Sequence, residues 1–181
     1  LGGSNSAWAV NSLNDPRNLY TETHHHDNSR AAGLITDSYW ANGTQGGPQA
    51  VAETIVGTGQ VRGTEDLWWD VEHWDNPSGR IWTPAEVEAH AVALHNGGIP
   101  FGRQGIYLNQ NMVNNGGYAR MAEVLGLRLW LALYTDAEYA LIKGGWTKRP
   151  VYWQFTSGNI PALRSVYNDD SLDVNRSGVN V

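Results

Sequence analysis

Two carboxylates stand two residues apart in a stretch dominated by Trp, Leu and Val, Leu67-Trp68-Trp69-Asp70-Val71-Glu72-His73-Trp74. Read as a strand, this segment puts Asp70 and Glu72 on one face with Trp68 and Trp74, and Trp69 and Val71 on the other. Burying an ionised carboxylate among apolar groups is costly unless it is paired. A strand that keeps two of them on one face therefore either ends in solvent or carries chemistry. The plain alternative has one acid capping a neighbouring loop and the other in a salt bridge. The chemistry open to such a pair is proton transfer, because like charges in a partly dry cleft leave one carboxyl protonated while the other stays ionised. Hydrolysis of a glycosidic bond uses that combination: one acid protonates the leaving oxygen, and a second carboxylate stabilises or attacks the oxocarbenium centre. Positions two apart on a strand are about 6.6 Å apart at Cα, which leaves retaining and inverting outcomes both open. With Asp173 further along the chain, two Asp and one Glu without a convergent His are poor zinc ligands, but Mg or Ca is a competing use of the same acids.

The elements that must position these residues follow from punctuation and periodicity. Ala7 to Val10 reads as a short strand, the Asn14-Asp15-Pro16 turn leads into a helix over Arg17 to Ala32, and Leu34 to Trp40 reads as a second strand. Pro48 suits the first turn of a helix reaching about Val56. Thr83-Pro84-Ala85-Glu86 forms a capping box that opens a helix ended by Gly97-Gly98, and Thr135 to Glu138 repeats the pattern. Strands are expected at Leu67 to Trp74, Gly105 to Leu108, Leu127 to Tyr134, Val151 to Phe155 and Ser171 to Val174, with a helix over Tyr118 to Leu125. Seven strands alternating with helices predict an α/β fold, a parallel sheet or (β/α) barrel, as one domain over 1–181.

In such folds active sites collect at the C-terminal ends of strands. This chain places there Asp37, Tyr39 and Trp40; Asp70, Glu72 and Trp74; Tyr107 and Asn109; Tyr134; Gln154 and Phe155; and Asp173 and Asn175. Carboxylates are thus ringed by aromatics and amides. The run His24-His25-His26 is expected on a solvated helix face, since consecutive helical positions diverge and cannot converge on one metal. Asn42 and Asn175 open glycosylation-type sequons of the kind that arise by chance.

Composition narrows the partners. The 181 residues carry a net charge of -6 and no Lys/Arg cluster, which argues against nucleic acid. No apolar run approaches the roughly 20 residues needed to span a bilayer. Cysteine is absent, which removes disulfides, thiol catalysis and cysteine-ligated zinc. Nine Trp and eight Tyr against two Phe supply flat apolar faces with polar edges, suited to a sugar-lined groove as well as a core. The opening Leu1-Gly2-Gly3-Ser4, without methionine or signal peptide, is expected of a processed or excised piece.

Five segments in order, Asp70-Val71-Glu72, Gly105-Ile106-Tyr107, Leu129 to Tyr134, Val151 to Ser157 and Leu172-Asp173-Val174-Asn175, resemble the Chalaropsis-type lysozymes, glycoside hydrolase family 25. The resemblance runs from about Ala7 to Asn175. It implies a modified (β/α) TIM-like barrel and N-acetylmuramidase activity on the β-1,4 bond between N-acetylmuramic acid and N-acetylglucosamine, without cofactor or metal. It also implies action at the bacterial cell wall, from outside the cell or as a phage-derived enzyme such as an endolysin. Glu72 is the implied acid, Asp70 and Asp173 its implied partners, and Tyr39, Tyr107 and Tyr134 the implied groove lining. Trp40, Trp74, Gln154 and Asn175 join them as substrate contacts from the strand ends. Family members open with a Gly-x-Asp-x-Ser strand, and nothing before Ala7 matches it. The first strand is therefore expected to be missing from this chain and to come from an upstream segment or a partner chain, pairing beside Ala7 to Val10 with its carboxylate near Asp70 and Asp173. The rival expectation is a wall-binding or phage structural module that keeps the barrel without turnover.

Overall fold

The computed structural model describes residues 8–12, 26–42, 46–73, 80–134, 145–156 and 174–177. Among the described residues seven strands form one sheet in chain order: β1 (Trp8–Ser12), β2 (Ile35–Ala41), β3 (Leu67–Asp70), β4 (Gln104–Asn109), β5 (Arg128–Ala132), β6 (Tyr152–Thr156) and β7 (Val174–Ser177). From β1 to β6 every neighbour pairs parallel. Successive parallel strands with crossovers of one hand curl the twisted sheet, giving an α/β fold that is a partial TIM-like barrel. The last pair corrects the expectation of a wholly parallel sheet. β7 runs antiparallel to β6, with a register shift between Gln154 and Thr156, and lies a few residues later than its sequence pattern placed it. An antiparallel neighbour needs only a reversal of the chain, whereas a parallel one needs a full crossover.

Helices α1 (26–31), α2 (Pro48–Thr58), α3 (Pro84–Asn96), α4 (Gln110–Asn115) and α5 (Tyr118–Leu125) accompany the strands. The Thr83 capping box is formed in full, with the Thr83 side chain accepting from the Glu86 amide and the Glu86 carboxylate accepting from the Thr83 amide. Helix α2 starts with Pro48 in its first turn and stops at Gly59, whose φ of 61° is left-handed. Sequence pattern missed α4. Its signal was Asn109, expected to serve the site but found as the N-cap, with Oδ1 accepting from the Met112 amide at 3.0 Å.

The sheet's outer face and the helices enclose the core. Leu67, Trp69 and Val71 are fully buried there, with Trp82, Val87 and Leu94 of the α3 segment packed into the same cluster. Gln104 is the polar fastener of this layer: Oε1 accepts from Trp69 Nε1 at 3.0 Å, and Nε2 donates to the carbonyls of Ile99 at 2.8 Å and Ala91 at 3.2 Å. A fully buried amide is tolerated because donor and acceptor sides are both used.

His26 corrects the solvated-face expectation, being fully buried; His24 and His25 lie outside the described residues. Its Nδ1 is 3.5 Å from Arg30 Nη2 and its Nε2 3.4 Å from Ser38 Oγ, an arrangement that favours neutral imidazole with the proton on Nε2, since Arg only donates. Arg30 in turn forks onto Glu65 at 2.6 and 2.7 Å and donates to the Gln60 carbonyl at 2.6 Å, tying α1 to the loop before β3. Burial, then the Arg30 charge, hold the His26 pKa down at about 4 from an ordinary 6.5. The unfolded chain therefore binds the extra proton first, and His26 contributes stability that is present above pH 6.5 and is lost as pH falls through 4. The difference across that window is about 3 kcal/mol. Urea unfolding of the parent and His26→Gln at several pH values checks this: the variant should lose the extra slope between pH 6.5 and 4. Equal slopes would show that His26 does not titrate with folding.

Candidate active site

Asp70 is the last residue of β3, and its Cα pairs with Ala41 of β2 and Tyr107 of β4. Strand alternation turns Asp70 inward with Trp68, and it is only 6% exposed. Beside it Tyr107 donates through its hydroxyl to Gln154 Oε1 at 2.7 Å, bridging β4 and β6 across β5. The Tyr107 ring stands edge-on to Trp130 at 4.9 Å, and Trp130 to Trp68 at 5.7 Å. Below the carboxyl end of β3 the barrel interior is therefore filled with aromatic side chains. A buried acid, a tyrosine and an amide share its rim.

The strand ends before Glu72, which corrects the longer strand expected over Leu67 to Trp74. Past Asp70 the Val71 amide still donates to the Tyr107 carbonyl at 3.3 Å. Glu72 then leaves the sheet, and its carbonyl accepts from Asn42 Nδ2 at 2.6 Å. Asn42, one residue past β2, also donates its backbone amide to the Asp70 carbonyl at 2.8 Å. Glu72 is half-buried. Two carboxylates thus stand at the C-terminal end of one strand, one in the barrel mouth and one on the segment just beyond it.

Asp37 sits elsewhere. Its Oδ1 accepts from the Asp66 amide at 2.9 Å and its Oδ2 from Trp68 Nε1 at 3.1 Å, with the Tyr152 hydroxyl at 3.5 Å. Asp66 precedes β3 and is ion-paired with Arg128, the first residue of β5, whose guanidinium lies 5.5 Å over Trp68. Asp37 therefore belongs to a buried network toward the N-terminal ends of the strands, and its expected place at the mouth is corrected. Burial, then Asp37, push the Tyr152 hydroxyl well above its ordinary pKa, so it stays protonated and able to donate.

No protein-family model matches the sequence, and no curated protein matches it. Solved structures do. The muramidase from Acremonium alcalophilum superposes with a TM-score of 0.66 at 15% identity, covering 96% of this chain and 81% of that one. The muramidase from Trichobolus zukalii gives 0.66 at 17% identity with the same coverage. The spore cortex lytic enzyme SleM of Clostridium perfringens gives 0.62 at 15% identity, over 98% of this chain and 62% of that one.

The chain has the fold of these three structures.

Within this barrel Asp70, Tyr107 and Gln154 stand at neighbouring strand ends, with Glu72 two residues past Asp70, and Tyr39, half-buried, alternates inward on β2 like Asp37. Trp40 is corrected: alternation turns it away from Tyr39, and it is a buried member of the helix-side core. Tyr134 lies just past β5 and is 59% exposed. Asn175 is on β7 with its Cα paired to Gln154. Trp74 and Asp173 lie outside the described residues. Among the described residues no group of three or more His, Asp or Glu is placed to hold a metal ion, and no helix is long and apolar enough to cross a membrane. Asn42 is the residue that motif reading passed over. Its sequon pattern was read as arising by chance, and what brings it to the site is its place one step past β2, next to β3.

Proposed function

We propose that this protein is an N-acetylmuramidase that hydrolyses the β-1,4 bond between N-acetylmuramic acid and N-acetylglucosamine in bacterial peptidoglycan. The observation that carries the reading is the pair Asp70 and Glu72 at the C-terminal end of β3, beside Tyr107 and Gln154, in a barrel shaped like those of muramidases. In this reading Glu72, on the more open segment, protonates the leaving glycosidic oxygen. Asp70, with Asp173, supplies negative charge that stabilises the oxocarbenium-like transition state. Tyr39, Tyr107 and Tyr134 offer ring faces and hydroxyls to the sugars, with Gln154 and Asn175 as amide partners. The chemistry needs no cofactor. Among the described residues β1 pairs in parallel with β2. The place of action is the bacterial cell wall.

The experiment is digestion of purified walls, followed by borohydride reduction and mass spectrometry of the released fragments. Cleavage at C1 of N-acetylmuramic acid should yield reduced muramic ends. New reducing ends on N-acetylglucosamine, or binding to walls with no release, would overturn the proposal.

A further inference from the structure

We infer that Asn42 is a positioning residue for the proposed acid: its side-chain amide pins the Glu72 backbone to the start of α3 and so sets where the Glu72 carboxyl stands above the sheet. The kinetic part of this inference rests on the muramidase reading; the structural part rests on hydrogen bonding alone.

Three bonds carry it. The Asn42 amide N–H donates to the Asp70 carbonyl at 2.8 Å, Nδ2 donates to the Glu72 carbonyl at 2.6 Å, and Oδ1 accepts from the Trp82 amide at 3.0 Å. A carbonyl can only accept and an amide N–H only donate, so the two partners fix which way the Asn42 side chain faces. Asn42 is 1% exposed, which removes water as a substitute partner. The other end of the link is firm. Trp82 is buried, its carbonyl accepts from the Tyr118 hydroxyl at 2.6 Å, and its indole stacks on His90 at 3.9 Å. Burial pushes the Tyr118 hydroxyl up to about 12, so this donor persists through the neutral range.

The need for such a clamp follows from where β3 stops. Asp70 is held by strand pairing on both sides, whereas Glu72 lies beyond the last ladder bond. Loss of the Asn42 side chain takes a 2.6 Å bond from the Glu72 backbone, and an acid displaced by about 1 Å loses on the order of 10² in rate. The same geometry disposes of the sequon at Asn42, because the nitrogen that would carry a glycan is buried and engaged.

Two variants test this, Asn42→Ala and Asn42→Asp. Alanine removes both side-chain bonds; aspartate keeps an acceptor for the Trp82 amide and turns an oxygen toward the Glu72 carbonyl. At a temperature well below both unfolding midpoints, each should lower kcat by about 10 to 10² with KM nearly unchanged. Hydrogen exchange at the Trp82 amide should accelerate about tenfold or more in the alanine variant and stay near the parent rate in the aspartate variant. A parental kcat in both variants, or a raised KM with kcat intact, would overturn the positioning role. If the parent itself releases no wall fragments, the muramidase reading falls separately. The Trp82 exchange rate then still decides the clamp, and unchanged exchange in Asn42→Ala refutes it.

Discussion

Glu72→Gln is expected to lower glycan-strand hydrolysis by about 10² to 10⁴, the contribution typical of a general acid, while the unfolding midpoint and wall binding stay close to those of the parent. The substitution removes a transferable proton without changing side-chain volume. It also spares the local frame, because the contact with Asn42 uses the Glu72 carbonyl and not its carboxyl. An interaction made in the transition state should disappear from kcat and kcat/KM together, leaving KM in place. Turbidity loss of wall suspensions, read beside urea unfolding, checks both halves. Parental lysis by the variant would remove Glu72 from the chemistry, and a large drop in unfolding midpoint would mark it as structural.

The largest effect on stability is expected at Gly105. A Cβ there would fall 2.8 Å from Cη2 of Trp68 and closer still to Cζ3 and Cε3, on the barrel-facing side of β4. The indole cannot swing aside easily. It is fully buried, packed at 5.1 Å on Tyr152 and 5.7 Å on Trp130, and its Nε1 donates to Asp37. Gly105→Ala should therefore cost about 1 to 3 kcal/mol in overpacking and about as much again where the Trp68 to Asp37 bond is broken. Chemical unfolding measures the sum, and a double-mutant cycle isolates the cause. In a Trp68→Leu background the same Gly105→Ala change should be nearly neutral. An equal cost in both backgrounds would mean that the indole contact is not responsible.

Sequence alone was enough where a local rule acts without competition. Alternating apolar runs and turn residues located β1 to β6 and put β7 a few residues early, and Thr83 with Glu86 marked the start of α3, because a capping box is completed by its own four residues. Alternation also separated the two faces of β3, sending Trp69 to the helix layer and Asp70 into the barrel. The carboxylate pair was legible for the same reason: acids in an apolar strand stand out before any contact is known.

Tertiary structure decided what depends on partners distant in sequence. Asp37 looked like a strand-end acid until the Asp66 amide and Trp68 indole claimed it, and Trp40 looked like a groove residue until the helices covered it. His26 is buried because Arg30, Glu65 and Ser38 meet around it, a convergence that no local pattern records. Asn42 is the sharpest case. A buried clamp and an exposed sequon read identically along the chain, and what separates them is that the Glu72 carbonyl and the Trp82 amide fold to within hydrogen-bond reach of one side chain. Hydrophobic periodicity is written residue by residue, but the partner of a buried polar group is chosen by the fold, since only the packed chain determines which donors and acceptors lose water together.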